Sequence, residues 1–130
     1  RLPASFYTPE ASRVVYAEVM HQTAQALAAG ATVIVDAVAA NASERNALAA
    51  VAHTAGVSFS GLWLTGPEAV LRARVANRQG DASDATVDVV RAQAGWTIGS
   101  LAPEWHTLDA GGSPETTYVH AAHVLGLPAS

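Results

Sequence analysis

The sequence predicts an α/β fold in which parallel strands and helices alternate to build a three-layer, doubly wound sheet. Two apolar runs, at 32–36 and 57–64, and a shorter run at 105–109 predict the strands. Apolar runs without alternation are typical of strands that are covered on both faces, as in parallel sheets. Helical patterns separate these runs, and strand–helix alternation with right-handed crossovers gives a doubly wound sheet.

Composition limits the functions that the chain can have. Its 130 residues are 50% hydrophobic and 14% charged, which excludes a disordered chain and suits one domain, 1–130, with a single core. The net charge is −4, so we expect no nucleic-acid partner. The absence of cysteine excludes disulfides, thiolate zinc sites and cysteine nucleophiles. Because neither a membrane-length apolar run nor a signal-like start is present, we expect no membrane partner and a cytoplasmic location.

Local signals place the elements along the chain. Thr8-Pro9-Glu10 is typical of a helix start, and Gly30 is a natural stop for that helix. The later predictions are a helix from Ser43 to about His53, a helix opened by Gly66-Pro67-Glu68, a helix over 84–94 and a final helix over 114–125.

Asp36 is the first candidate functional residue. It ends a buried strand, and carboxyl ends of parallel strands face the crevice where α/β proteins bind ligands. Four apolar residues followed by Asp also have the form of a Walker B strand, whose acid holds Mg²⁺. On the pattern alone, capping of the following turn is favoured over a metal or base role.

Two arginines on the third predicted helix form a second candidate. Arg74 and Arg78 lie four residues apart and therefore share a helix face. Arginine grips phosphate oxygens bidentately and stacks on flat rings. The favoured alternative is an ordinary solvated face that pairs with Glu68 or Asp81. His120 and His123 have a spacing that suits a metal, but histidines on terminal helices are more often surface residues.

Two long runs of the sequence carry a family pattern, LAAGATVIVDAVAANASERNALAAVAHTAGVSFSGLWL and LRARVANRQGDASDATVDVVRAQ. They resemble the AAA-type, gluconate-kinase-like P-loop ATPases, which are predicted kinases often fused behind an aminoglycoside-phosphotransferase-like domain. The resemblance covers nearly the whole chain. Its most specific stretch is 78–85, which contains a lid over about 79–84.

The resemblance implies a role for each candidate residue. Asp36 matches the acid of the Walker-B-like strand, a Mg²⁺ or acceptor-activating position, and Arg45 matches an arginine near the acceptor. Arg74 matches the position that stacks on adenine, and Arg78 matches the lid arginine that reaches the transferred phosphate. Gly111-Gly112 falls where such kinases hold the adenine edge with backbone groups.

The sequence departs from this family in one respect. The Gly-x-x-x-x-Gly-Lys-Ser/Thr loop is absent, and the chain has no lysine at all. The resemblance therefore implies a P-loop kinase sheet that lacks its first two strands. The family order 2-3-1-4-5 would put the missing first strand between 32–36 and 57–64. We expect the exposed edges to favour a homo-oligomer or pairing with an N-terminal segment.

These observations predict the C-terminal part of an ATP-dependent small-molecule kinase or P-loop ATPase. The intact protein would use ATP and Mg²⁺ to phosphorylate a small-molecule acceptor. The 130 residues alone would be inactive, because phosphoryl transfer depends on the positioning that the phosphate loop supplies. The alternative is a degenerate, non-catalytic relative that serves as a binding or self-assembly module.

Overall fold

A computed structural model describes residues 9–77 and 98–128 of the chain. The described residues form two compact units: a helical unit, 9–59 with 98–100, and a sheet unit, 60–77 with 101–128. The elements in chain order are α1 (Pro9–Ala28), α2 (Ala42–Thr54), β1 (Gly61–Thr65), α3 (Glu68–Asn77), β2 (Trp105–Asp109) and α4 (Pro114–Leu125). Most of the predicted lid, with Arg78, and the predicted helix over 84–94 lie outside the described residues. No helix among 9–77 and 98–128 is long and apolar enough to cross a membrane.

The helical unit packs α1 against α2. Its most buried apolar side chains are Ala39 together with Leu48, Ala49 and Ala52 of α2. α1 ends just before Gly30, whose φ of 87° is the left-handed conformation that commonly ends a helix. The stop that the sequence predicts at this glycine is therefore confirmed.

The predicted strand at 32–36 does not form in the structure. Residues 31–40 belong to no helix or strand, and the sheet of the described residues has two strands instead of three. Within the part of the chain that the structure describes, the backbone groups of 32–38 make no hydrogen bond. A strand is stable only when a neighbouring strand satisfies these groups, so β-branched composition alone was not sufficient here.

The sheet unit contains the parallel pair β1 and β2, which run in register from Gly61↔Trp105 to Thr65↔Asp109. The prediction of 105–109 is confirmed, whereas the predicted strand at 57–64 begins and ends later, at Gly61–Thr65. Gly61 is required because a Cβ there would overlap the indole of Trp105. α3 connects the two strands in sequence, and α4 packs on β2, where Leu108 is buried.

Candidate functional site

Two turns meet at the carboxyl end of the sheet, where α/β proteins bind ligands. Gly66 and Pro67 follow β1, and residues 110–112 follow β2. A Cβ on Gly111 would lie 2.8 Å from Cδ of Pro67, and a Cβ on Gly66 would lie 3.6 Å from the Gly111 backbone. Glycine at both positions therefore allows the two turns to touch.

Hydrogen bonds fix the turn after β2. The Ala110 N–H donates to the Thr65 carbonyl at 2.7 Å, which extends the strand pairing by one step. The Gly111 N–H donates to Oδ1 of Asp109 at 2.8 Å, an Asx-type turn in which the side chain replaces a backbone acceptor. Oγ of Ser113 then accepts from the Thr116 N–H and caps α4. The backbone of 110–112 is thus held at both ends.

Arg74 reaches this turn from α3. Its Nη1 donates to the Ala110 carbonyl at 2.6 Å, and its Nη2 donates to the Gly112 carbonyl at 2.7 Å. Both bonds lie along the edge of the guanidinium, so they fix its orientation while its two flat faces stay unused by them. The side chain is exposed. A planar ligand can stack on such a held guanidinium.

An open groove of about 690 Å³ runs along α3 beside this arginine. It is lined by Ala69, Val70, Ala73, Arg74 and Asn77. The three small apolar residues offer contact to a ring, and an asparagine amide can pair with both the N6 and N7 positions of adenine. Sequence reasoning missed Asn77, although its place three residues after Arg74 puts both on one helix face.

The helical unit holds the other two described candidates, Asp36 and Arg45, in different environments. Asp36 is exposed in the segment that follows α1. Arg45 is 2% exposed. Its Nη1 donates to the carbonyls of Ala39 (2.9 Å) and Ala40 (2.8 Å), and its Nη2 donates to the Ile98 carbonyl. The guanidinium of Arg45 therefore ties three stretches of backbone together inside this unit.

Ala39 is the point on which these contacts converge. Its φ of 48° lies in the left-handed region, which costs a non-glycine residue about 1–2 kcal/mol. The Ala39 N–H donates to the Tyr16 hydroxyl at 2.7 Å, and its carbonyl accepts from Arg45. Burial raises the pKa of Tyr16, opposed by the Ala39 hydrogen bond and reinforced by the nearby Glu44 carboxylate. Sequence reasoning placed Tyr16 in core packing, and no sequence signal indicates its bond to Ala39.

The structure thus brings together three of the predicted site residues, Arg74, Gly111 and Gly112, in the sheet unit. Within 9–77 and 98–128, no group of three acidic or histidine side chains forms a metal cluster. His120 and His123 are exposed on α4. The functional roles assigned to Asp36, Arg45 and Arg78 stay predictions.

The parallel strand pair and the ligand-facing turns at its carboxyl end define the chain as an α/β protein with a candidate binding site. A protein-family model described as an AAA domain matches residues 3–97. The chain belongs to this AAA domain family, which is P-loop and kinase-like and generally uses ATP and Mg²⁺. No curated protein and no solved structure matches the chain. The matched region includes Asp36, Arg45 and Arg74 and ends before β2.

Proposed function

We propose that the chain is part of an ATP-dependent small-molecule kinase and that its sheet unit binds the adenine of ATP. The observation that carries this proposal is the bidentate hold of Arg74 on the turn after β2. This hold presents a flat cation beside the α3 groove, at the sheet edge where α/β proteins bind ligands.

The turn offers the adenine edge two complementary backbone groups. Within the described residues, the Gly111 carbonyl and the Gly112 N–H make no hydrogen bond. Adenine presents an amino donor at N6 and acceptors at its ring nitrogens, so one carbonyl and one N–H match this edge. Stacking on Arg74 supplies affinity for any base, and the backbone pair supplies the preference for adenine.

The phosphate end of the proposed reaction involves residues of the helical unit and the lid. Mg²⁺ is usually held by one or two carboxylates together with the substrate phosphates. Asp36, an exposed carboxylate, fits the single-carboxylate role and would bring the ion to the phosphates. In this proposal Arg78 neutralises charge on the transferred phosphoryl group, and Arg45 contributes to the acceptor side.

The 130 residues contain no lysine, so a Walker A lysine must come from elsewhere. We expect the chain itself to bind ATP weakly and to show no turnover, because the phosphate cradle supplies most of the positioning. A chain with clear ATP hydrolysis that Asp36→Asn abolishes would contradict this expectation.

A nucleotide titration with a matched pair of variants tests the adenine site. Arg72 lies two residues from Arg74 on α3 and pairs with Glu68 at 3.9 Å, so Arg72→Ala is the control. We expect Arg74→Ala to raise the Kd for a fluorescent ATP analogue labelled on the ribose by about tenfold, the scale of one stacking contact. Arg72→Ala should leave the Kd within about twofold, since charge screening alone separates the two variants. Equal effects of both substitutions would overturn the site.

A further inference from the structure

The segment 32–36 of the helical unit has the composition of a strand and lacks a partner. Ile34 is 91% exposed, the largest exposure among the big apolar side chains of the described residues. Exposure alternates along the segment: Thr32, Ile34 and Asp36 are exposed, and Val33 and Val35 are half-buried. This period of two is that of a strand with one face packed and one face open.

The edges of this segment are unprotected. No backbone group of 32–38 is hydrogen-bonded within 9–77 and 98–128. Between Glu18 and Glu44 the only formally charged side chain is Asp36. Natural proteins block exposed edges with charges, especially lysine, or with proline, and this stretch has neither lysine nor proline. A second strand can therefore add to it.

We propose that the occupant is the same segment of a second copy of this chain, paired antiparallel about a two-fold axis through Ile34. In that register Ile34 faces Ile34 of the second copy, Val33 faces Val35, and Thr32 faces Asp36. Threonine opposite aspartate is a favourable cross-strand pair, because the hydroxyl donates to the carboxylate. Each Asp36 lies at an opposite end, so the two negative charges stay apart.

Charge excludes the parallel alternative in the same register. Parallel pairing would place Asp36 directly opposite Asp36, and like charges facing each other across strands are destabilising. A two-fold antiparallel pair is also isologous and closes at two chains, whereas a parallel addition leaves an open edge. A five-residue strand pair is smaller than a standard stable interface, so the dimer forms and dissociates with concentration.

Cysteine cross-linking tests the contact, because the chain has no native cysteine. Facing residues of antiparallel strands bring their Cβ atoms within disulfide reach. We expect Ile34→Cys to form a disulfide dimer under mild oxidation. Val14→Cys, on the 70% exposed Val14 of α1, is the control and should stay monomeric. Equal cross-linking of the two variants would overturn the proposal.

A mixed experiment tests the strand direction. Thr32→Cys combined with Asp36→Cys should cross-link at least fivefold more than either variant alone, because only the mixture places two cysteines opposite each other. Parallel pairing predicts the reverse, with each variant linking to itself, and this result would overturn the antiparallel register.

Light scattering tests the association without cross-links. We expect the mass to rise with concentration from 13.3 kDa toward twice that value. Ile34→Lys should abolish the rise, because it would bring two lysines together at the two-fold axis, and Val14→Lys should not. A monomer at all concentrations would overturn the proposal. So would an association that Ile34→Lys leaves intact, since another surface would then be responsible.

Discussion

Arg45 and Arg74 make the same kind of contact in the two units of the molecule, and they differ in burial. Each guanidinium donates to carbonyls of a turn, Ala39 and Ala40 for Arg45, and Ala110 and Gly112 for Arg74. Arg45 is 2% exposed, whereas Arg74 is exposed at the edge of a groove.

The difference shows how surroundings decide what an arginine does. A buried charge must have its donors satisfied, and removing it leaves buried carbonyls without partners, so Arg45 is suited to stabilising the helical unit. An exposed arginine loses little of this kind when it is removed. Arg74 therefore contributes less to stability, and its flat faces are accessible to a ligand.

The largest expected effect concerns a third arginine, Arg78, which the family resemblance assigns to the transferred phosphate. In a longer protein that also carries the phosphate loop, we expect Arg78→Ala to lower kcat by about 10³, the scale of arginines that stabilise transition-state charge. Steady-state kinetics against ATP measure this effect, with Arg72→Ala as the control. Unchanged turnover would mean that Arg78 belongs to an ordinary solvated helix face.

Arg45→Ala is expected to give the next largest effect. It should lower the free energy of unfolding by about 3 kcal/mol, because three backbone carbonyls lose a charged donor. Urea unfolding followed by circular dichroism measures this change. Arg13, whose side chain is 74% exposed beside Glu10, provides the control Arg13→Ala, with an expected change below about 0.5 kcal/mol. Similar losses for both variants would contradict the contrast between buried and exposed arginines.

Tyr16→Phe should give a smaller effect with a distinct pH dependence. The substitution leaves the Ala39 N–H without its acceptor, which costs about 1 kcal/mol near neutral pH. Burial raises the pKa of Tyr16 above its ordinary 10.0, so the folded state holds the phenol proton more tightly than the unfolded state. This contribution is fully present below pH 10 and is lost as pH rises through the folded pKa.

Unfolding measured across pH 8–11 separates this effect from simple loss of packing. The parent chain should lose stability above pH 10, and Tyr16→Phe should lose less over the same interval. Tyr118→Phe, at an exposed tyrosine of α4, should leave the parent slope unchanged. Identical slopes for Tyr16→Phe and the parent chain would show that Tyr16 does not carry the alkaline loss.

Sequence analysis predicted the elements whose ends carry local signals. The bounds of β2 and α4 were predicted as they are observed, and the Ser113 cap, with Pro114 at the first helical position, explains why α4 begins there. The predicted strand at 32–36 is absent because pairing depends on a neighbouring strand, which composition cannot supply.

The candidate site was predictable only in part. The family resemblance brought Arg74 together with Gly111 and Gly112 as adenine-binding residues, and the structure shows Arg74 in contact with that turn. The burial of Arg45 was not predictable, because it depends on contact with Ile98, which lies 53 residues away in the sequence. No local pattern reports a contact over that distance.

A nucleotide titration observed through the backbone amides tests the central claim, that adenine binds at the turn held by Arg74. Two-dimensional NMR detects weak binding residue by residue. We expect ATP to shift the Gly111 and Gly112 amides of the parent chain progressively and to shift them far less in Arg74→Ala, while Arg72→Ala behaves like the parent. If nucleotide shifts other amides and leaves those of Gly111 and Gly112 in place, adenine does not bind at this turn.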